Sequence, residues 1–156
     1  MIRPAVLVIT DGIGYRKNIE GNAFAQAKKP EWERILASRP YAFLDGRGTP
    51  PVPGINYLKK IDDFIKDEEL GKIYDSTMDK NGVMIITADH GNIEQIEDDN
   101  TDPVTEHTIN PVYCIVAGNG IKKIHSGGLK DIAPTVLDIV DITLSPEMTG
   151  NTLTDG

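Results

Sequence analysis

Large apolar residues fall into three short runs with no polar face, and between them polar and apolar residues recur at helical spacing. Val83 to Ile86, inside "GVMIITADHGN", places four of them in a row, which predicts a strand buried on both sides. "AVLVIT" at Ala5 to Thr10 and "VYCIVAG" at Val112 to Gly118 have the same texture and predict two more strands. Asn22 is placed to cap a helix through Ala23, Phe24 and Ala27, and Pro30 suits the first turn of another carrying Trp32, Ile35 and Leu36. Tyr57, Leu58, Ile61, Phe64 and Ile65 recur opposite Lys59, Lys60, Asp62 and Asp63, the pattern of an amphipathic helix. "GGLKDIAPTVLDIV" ends the series, with Asp131 as cap, Pro134 in the first turn, and Ile132, Val136, Leu137 and Val140 on one side. Strands alternating with helices predict an α/β fold, a mainly parallel sheet with helices on both faces.

Two stretches interrupt this rhythm. In "YAFLDGRGTPPVPG", Tyr41 to Gly54, three prolines and three glycines leave room only for a short strand at Ala42 to Leu44, so a boundary or insertion belongs here. "EQIEDDNTDPVTEHTINP" is rich in Asn and Asp and reads as an exposed acidic loop.

Composition narrows the function classes. A chain of 156 residues suits one compact domain with a small appendage. The net charge of −8 and a pI near 4.8 make nucleic acid and anionic membranes poor partners, and an anionic substrate would require cations supplied locally. Cys114 is the sole cysteine and has apolar neighbours, which excludes an internal disulfide and predicts a buried, inert thiol. The amino-terminal apolar run is too short for a signal peptide and no stretch approaches a membrane span, so the expected compartment is the cytoplasm.

Candidate chemistry gathers just past the predicted strands. Asp11 follows the first, Asp89 and His90 follow the second, and His107 in "EHTINP" precedes the third. Alone, each has a plainer reading, since Asp often forms turns and His often decorates loops. Together they are more specific, because the carboxyl ends of parallel strands converge on one crevice and bring Asp11 and Asp89 within reach of one ion. A mixed carboxylate and imidazole set suits manganese or zinc better than calcium. Asp89 and His90 can both face the crevice only where the chain has left the ladder, and Gly91 provides that turn. Arg16, Lys17 and His125 are weaker candidates, read more simply as loop residues.

The motifs "VLVITDGIGYR", "EGNAFAQAKKPEWERIL", "AFLDGRGTPP", "ITADHGNIEQ", "HTINPV" and "GGLKDIAPTVLDIV…PEMTGNTL" resemble, in order, those of the cofactor-independent phosphoglycerate mutases of the alkaline phosphatase superfamily. The resemblance implies an alkaline-phosphatase-like metal-binding core over 1–40 and 76–156, with 41–75 as the remnant of a substrate domain. It implies a two-manganese enzyme moving a phosphoryl group between the 3- and 2-hydroxyls of glycerate through a phosphoserine. Carried over by position, Asp11, Asp89 and His90 match three ligands of one metal, His107 matches one ligand of the other, and Arg47 matches a substrate residue.

Other parts of the pattern are missing. No segment like "NSEVGH", which bears the nucleophilic serine, follows "ILASRPY", and no segment like "NPDMVGHTG" precedes "GVMIITADHGN". Gly48 stands where the family has an aspartate, and most substrate arginines are absent. The serines are Ser38, Ser76, Ser126 and Ser145, none in a matching motif. Removing a nucleophile costs several orders of magnitude in rate, so weak or absent mutase activity on a phosphorylated small molecule is expected. The alternative is a non-catalytic metal-binding or structural remnant. The abrupt joins at Pro40-Tyr41 and around Tyr74 to Gly82 also fit internal segments skipped in this sequence. A shortened sheet leaves a strand edge unpaired, which makes a second copy of the chain an expected partner.

Overall fold

A computed structural model describes residues 4–46, 67–97, 104 and 106–155. The predicted helix over 57–65 and Arg47 lie outside them. The elements are β1 (Ala5–Thr10), α1 (Ala23–Gln26), α2 (Pro30–Ser38), β2 (Tyr41–Asp45), α3 (Asp67–Asp79), β3 (Val83–Ala88), β4 (Val112–Ala117), β5 (Gly127–Gly128), a 3-10 turn (Leu129–Asp131) and α4 (Ile132–Ile139). One sheet takes all five strands in the order β1-β3-β4-β2-β5.

The α/β architecture is the expected one, with a single strand reversed. β1 pairs parallel with β3 and β2 with β5, while β4 is antiparallel to both β3 and β2. The sheet is therefore mixed, with four strands running one way and β4 opposing them. Parallel neighbours need a crossover, usually a helix. A polar loop with no helix among its described residues joins β3 to β4, and the chain returns in the opposite direction.

β3 is buried along its whole length, as four consecutive apolar residues require, because it lies between β1 and β4 with helices on either side. Trp32 of α2 meets Tyr113 edge-on at 5.6 Å on one face of β4. On the opposite face, Val136 and Ile139 of α4 line a small cleft with Ala5, Leu7, Val83 and Ile85. β1 has the same composition as β3 but forms the sheet's edge, leaving Leu7 and Ile9 exposed. Cys114, in the middle of β4, is fully buried, and loss of hydration pushes its thiol up to about 12, as an inert core residue demands.

Local signals set most of the boundaries. Asn22 accepts the Ala25 N–H at 2.8 Å and caps α1. Pro30 opens α2, yet Lys29 at its N-cap makes no side-chain capping bond. Asp67, from the first turn of α3, accepts the Glu31 and Trp32 N–H groups at 2.7 and 2.8 Å instead. Of the stretch 41–75, β2 thus sits inside the common sheet and the start of α3 is tied to α2. Asp131 does not make the predicted side-chain cap on α4. Its carboxylate turns back to accept Gly128 N–H and across to accept Asn151 N–H, both at 2.8 Å, fastening the C-terminal tail.

Candidate metal centre

β1 and β3 are parallel and in register, Thr10 opposite Ala88, so the residues following them leave the sheet side by side. Asp11 follows one strand and Asp89 the other. The ladder stops at Ala88, which frees Asp89 and His90 from strict alternation and lets both turn towards Asp11. Gly12 adopts a left-handed φ of +72°, which folds the β1 loop back over the β3 loop. A Cβ on Gly12 would stand 3.1 Å from Asn92 Cβ and 3.6 Å from His90 Cε1, so the two loops are packed to the limit of a glycine there.

The result is a cluster in which one potential ligand atom each from Asp11, Asp89 and His90 lies within 4.8 Å of the others. His90 Nε2 is 3.2 Å from Asp11 Oδ1 and 3.7 Å from Asp89 Oδ2. His90 Nδ1 is 3.1 Å from the Gly91 carbonyl. A carbonyl only accepts, so Nδ1 carries the proton and the Nε2 lone pair faces the two acids, the arrangement that orients a metal-binding imidazole. The His90 side chain is only 6% exposed, whereas those of Asp11 and Asp89 are about half exposed, at 55% and 50%. The site therefore has a buried imidazole floor and two acids open to arriving ions. Among the described residues no Lys or Arg forms an ion pair with Asp11 or Asp89. Two carboxylates so close repel, and a divalent cation between them removes that repulsion.

His107 is near the cluster without joining it. Its ring stacks on His90 with centroids 3.4 Å apart and planes 15° from parallel. The ring is partly buried, and Nδ1 is fully buried with no hydrogen-bond partner. Asp11, Asp89 and His90 thus converge as one set, while His107, matched above to a ligand of the other metal, stands behind His90 with Nδ1 unpaired. Arg16, half-buried in the β1 loop, also carries a buried and unpaired Nη1.

Other candidates lie elsewhere. Ser38 donates to the Arg34 and Ile35 carbonyls at the end of α2, beside the start of β2 and hence at the opposite edge of the sheet from the cluster. His125 Nε2 is 2.6 Å from Asp155 Oδ1, both exposed, beyond β5 at the far side of the sheet from β1. One important residue escaped the sequence reading. Glu94, which the composition of its acidic loop predicts to be exposed, is fully buried behind the cluster. Its only signal is the short spacing from Gly91 and its place between Ile93 and Ile96.

A model of the metalloenzyme superfamily matches residues 55–144. The chain belongs to that superfamily. The cluster at the tips of β1 and β3 thus lies in a metalloenzyme fold, and its donor set suits a divalent cation. Over 88 residues, 56% of this chain, it is 51% identical to the 2,3-bisphosphoglycerate-independent phosphoglycerate mutase of Acetivibrio thermocellus. The enzyme of the same name from Staphylococcus haemolyticus is 46% identical over 87 residues. In each case the match spans 17% of the relative's length. A crystal structure of Leishmania mexicana phosphoglycerate mutase at low cobalt concentration aligns with 57% of this chain and 20% of its own, at 27% identity and a TM-score of 0.48. The stretch shared with the two curated relatives is the likeness to cofactor-independent phosphoglycerate mutases that the motifs lead one to expect.

Proposed function

We propose that this chain is a reduced phosphoglycerate mutase relative that holds one divalent cation, manganese in preference to zinc, on Asp11, Asp89 and His90, and has weak or no mutase activity. The observation that carries this reading is the convergence of two half-exposed carboxylates and one oriented imidazole at neighbouring strand tips. A bound cation of this kind polarises a phosphoryl oxygen and offsets charge developing on it. The chain's own residues present the acids to solvent, fix the imidazole through Gly91, and exclude water from its buried side. Phosphorylated small molecules are the substrate class that the relatives' names support. Weak turnover follows from the serines: Ser38 bonds to its own helix at the wrong edge of the sheet, and Ser76, Ser126 and Ser145 are all exposed outside any matching motif.

Thermal melts with and without manganese test the reading. Metal at a hundred times its dissociation constant stabilises a one-site protein by about 2.7 kcal/mol. Asp89→Asn and His90→Ala are each expected to remove the shift. Melting curves that millimolar manganese leaves unmoved would count against the site, as would a full shift in both variants. Assayed for interconversion of phosphoglycerates, the purified protein is expected to fall far below about 10 per second, the turnover of an ordinary enzyme.

A further inference from the structure

We infer that Glu94 is the positioning residue of the proposed metal centre: one buried carboxylate that clamps three segments of its two loops together and thereby sets the placement of Asp11, His90 and His107. The clamp rests on the metal reading for its function but stands on geometry of its own. Oε2 accepts the Gly14 N–H at 2.9 Å from the loop after β1 and the Asn92 N–H at 2.8 Å from the loop after β3. Oε1 accepts the Thr108 hydroxyl and, at 3.0 Å, Asn110 Nδ2, both from the segment that carries His107. Four donors from three segments of two loops thus meet on two oxygens, and the carboxylate is fully buried. Each ligand or neighbouring imidazole lies within a few residues of a clamped donor: Asp11 before Gly14, His90 before Asn92, His107 before Thr108.

Close approach around the carboxylate points the same way. A Cβ on Gly14 or on Gly91 would overlap Glu94 Oε1, so both loops come as near as backbone can to that side chain. The same loops are stitched by isolated bridges, Gly91 to Thr108 and Gly14 to Val112, and by Ile93 N–H donating to the Gly12 carbonyl at 3.0 Å. Glutamine has the shape of glutamate but turns an N–H₂ towards donors, so Glu94→Gln keeps the volume and breaks the clamp.

Two readouts separate the clamp from the metal reading. Manganese affinity by calorimetry is expected to fall 10- to 100-fold in Glu94→Gln, the range for a lost outer-shell partner. Asp131→Asn, a buried carboxylate remote from the loops, should leave the affinity within twofold. Without metal, the stacked His90 and His107 rings should shield each other's protons, and NMR should show that upfield shift lost in Glu94→Gln and kept in Asp131→Asn. Should Glu94→Gln fail to fold, Asn110→Ala removes one donor and is expected to weaken the ring shift alone. Retained ring shifts in both Glu94→Gln and Asn110→Ala overturn the clamp, as does equal loss of affinity in Asp131→Asn. A wild-type protein that binds no manganese, yet loses its ring shift in Glu94→Gln, overturns the metal reading and upholds the clamp.

Discussion

The loops at the strand tips and the anchor of the C-terminal tail use the same device to opposite ends. In each, a buried carboxylate joins one nearby backbone N–H group to one far along the chain: Glu94 at the tips, Asp131 at the tail. Around Asp131 every connection closes. Thr135 Oγ1 donates to the Asp131 carbonyl at 2.6 Å and accepts Leu153 N–H at 3.0 Å, while His125 N–H donates to the Leu153 carbonyl at 2.8 Å. Around Glu94 the clamp itself is satisfied, but what it holds is not: two acids face each other and His107 Nδ1 is buried without a partner. Unpartnered buried polar atoms cost free energy and are rare. The tail is closed by the protein's own groups, and on the proposed reading a bound cation closes the tips.

The comparison breaks first at Gly91. Replacing it by alanine drives a methyl into Glu94 Oε1 and Thr108 Oγ1, and overpacking of that kind costs about 3 kcal/mol at the upper end of its usual range. Urea unfolding should show that loss together with loss of the manganese response. Gly127→Ala is the matched change at the tail, where the new Cβ would lie 2.5 Å from Asp131 Oδ2 and 2.7 Å from Leu153 Cδ2. It should cost stability and leave the manganese response intact. A manganese response that survives Gly91→Ala, or disappears in Gly127→Ala, would erase the distinction between the regions.

Asp131→Ala has the next largest effect. It removes the buried carboxylate that holds the part-buried Gly128 and Asn151 N–H groups, and hydrogen bonds to a charged group are worth about 2 kcal/mol. Amide exchange at Asn151 and Leu153 should accelerate well before exchange in β3, because the tail is released while the sheet persists. Uniform acceleration across the sheet would mean that the tail and the tips open as one unit.

The two regions also differ in how far the sequence discloses them. β1, β3 and β4 were legible because apolar runs have only the core to go to, and Asn22 and Pro30 mark helix starts by local chemistry that tertiary structure did not override. Asp11, Asp89 and His90 were legible because a parallel register brings consecutive loop residues to one place. Glu94 and Asp131 were not, since each has one backbone partner far off in the chain, 80 and 20 residues away, and a buried glutamate looks the same in sequence as a solvated one. The reversal of β4 was hidden for a related reason: an apolar run shows burial but carries no direction. α3 was overlooked because Gly71 interrupts it and charge dominates its exposed side, although the acidic first turn and the spacing of Leu70, Tyr74 and Thr77 mark it as helical.

The smallest effect is expected at Asp67, a third buried carboxylate, which fastens one helix to another. It accepts the Glu31 and Trp32 N–H groups that Lys29, at the N-cap of α2, leaves unserved, and so caps that helix from its neighbour. Removing a side chain that caps a helix start costs about 1 kcal/mol. Asp67→Ala should therefore lower stability by about that amount, leaving both the manganese response and amide exchange at Asn151 unchanged. That outcome would show that capture of backbone N–H groups by a carboxylate is a general fastening of this fold, and that Glu94 differs only in what its loops present. A manganese affinity weakened by Asp67→Ala, which touches none of those loops, would instead mean that global stability sets metal binding, and the special standing of the strand tips would fall.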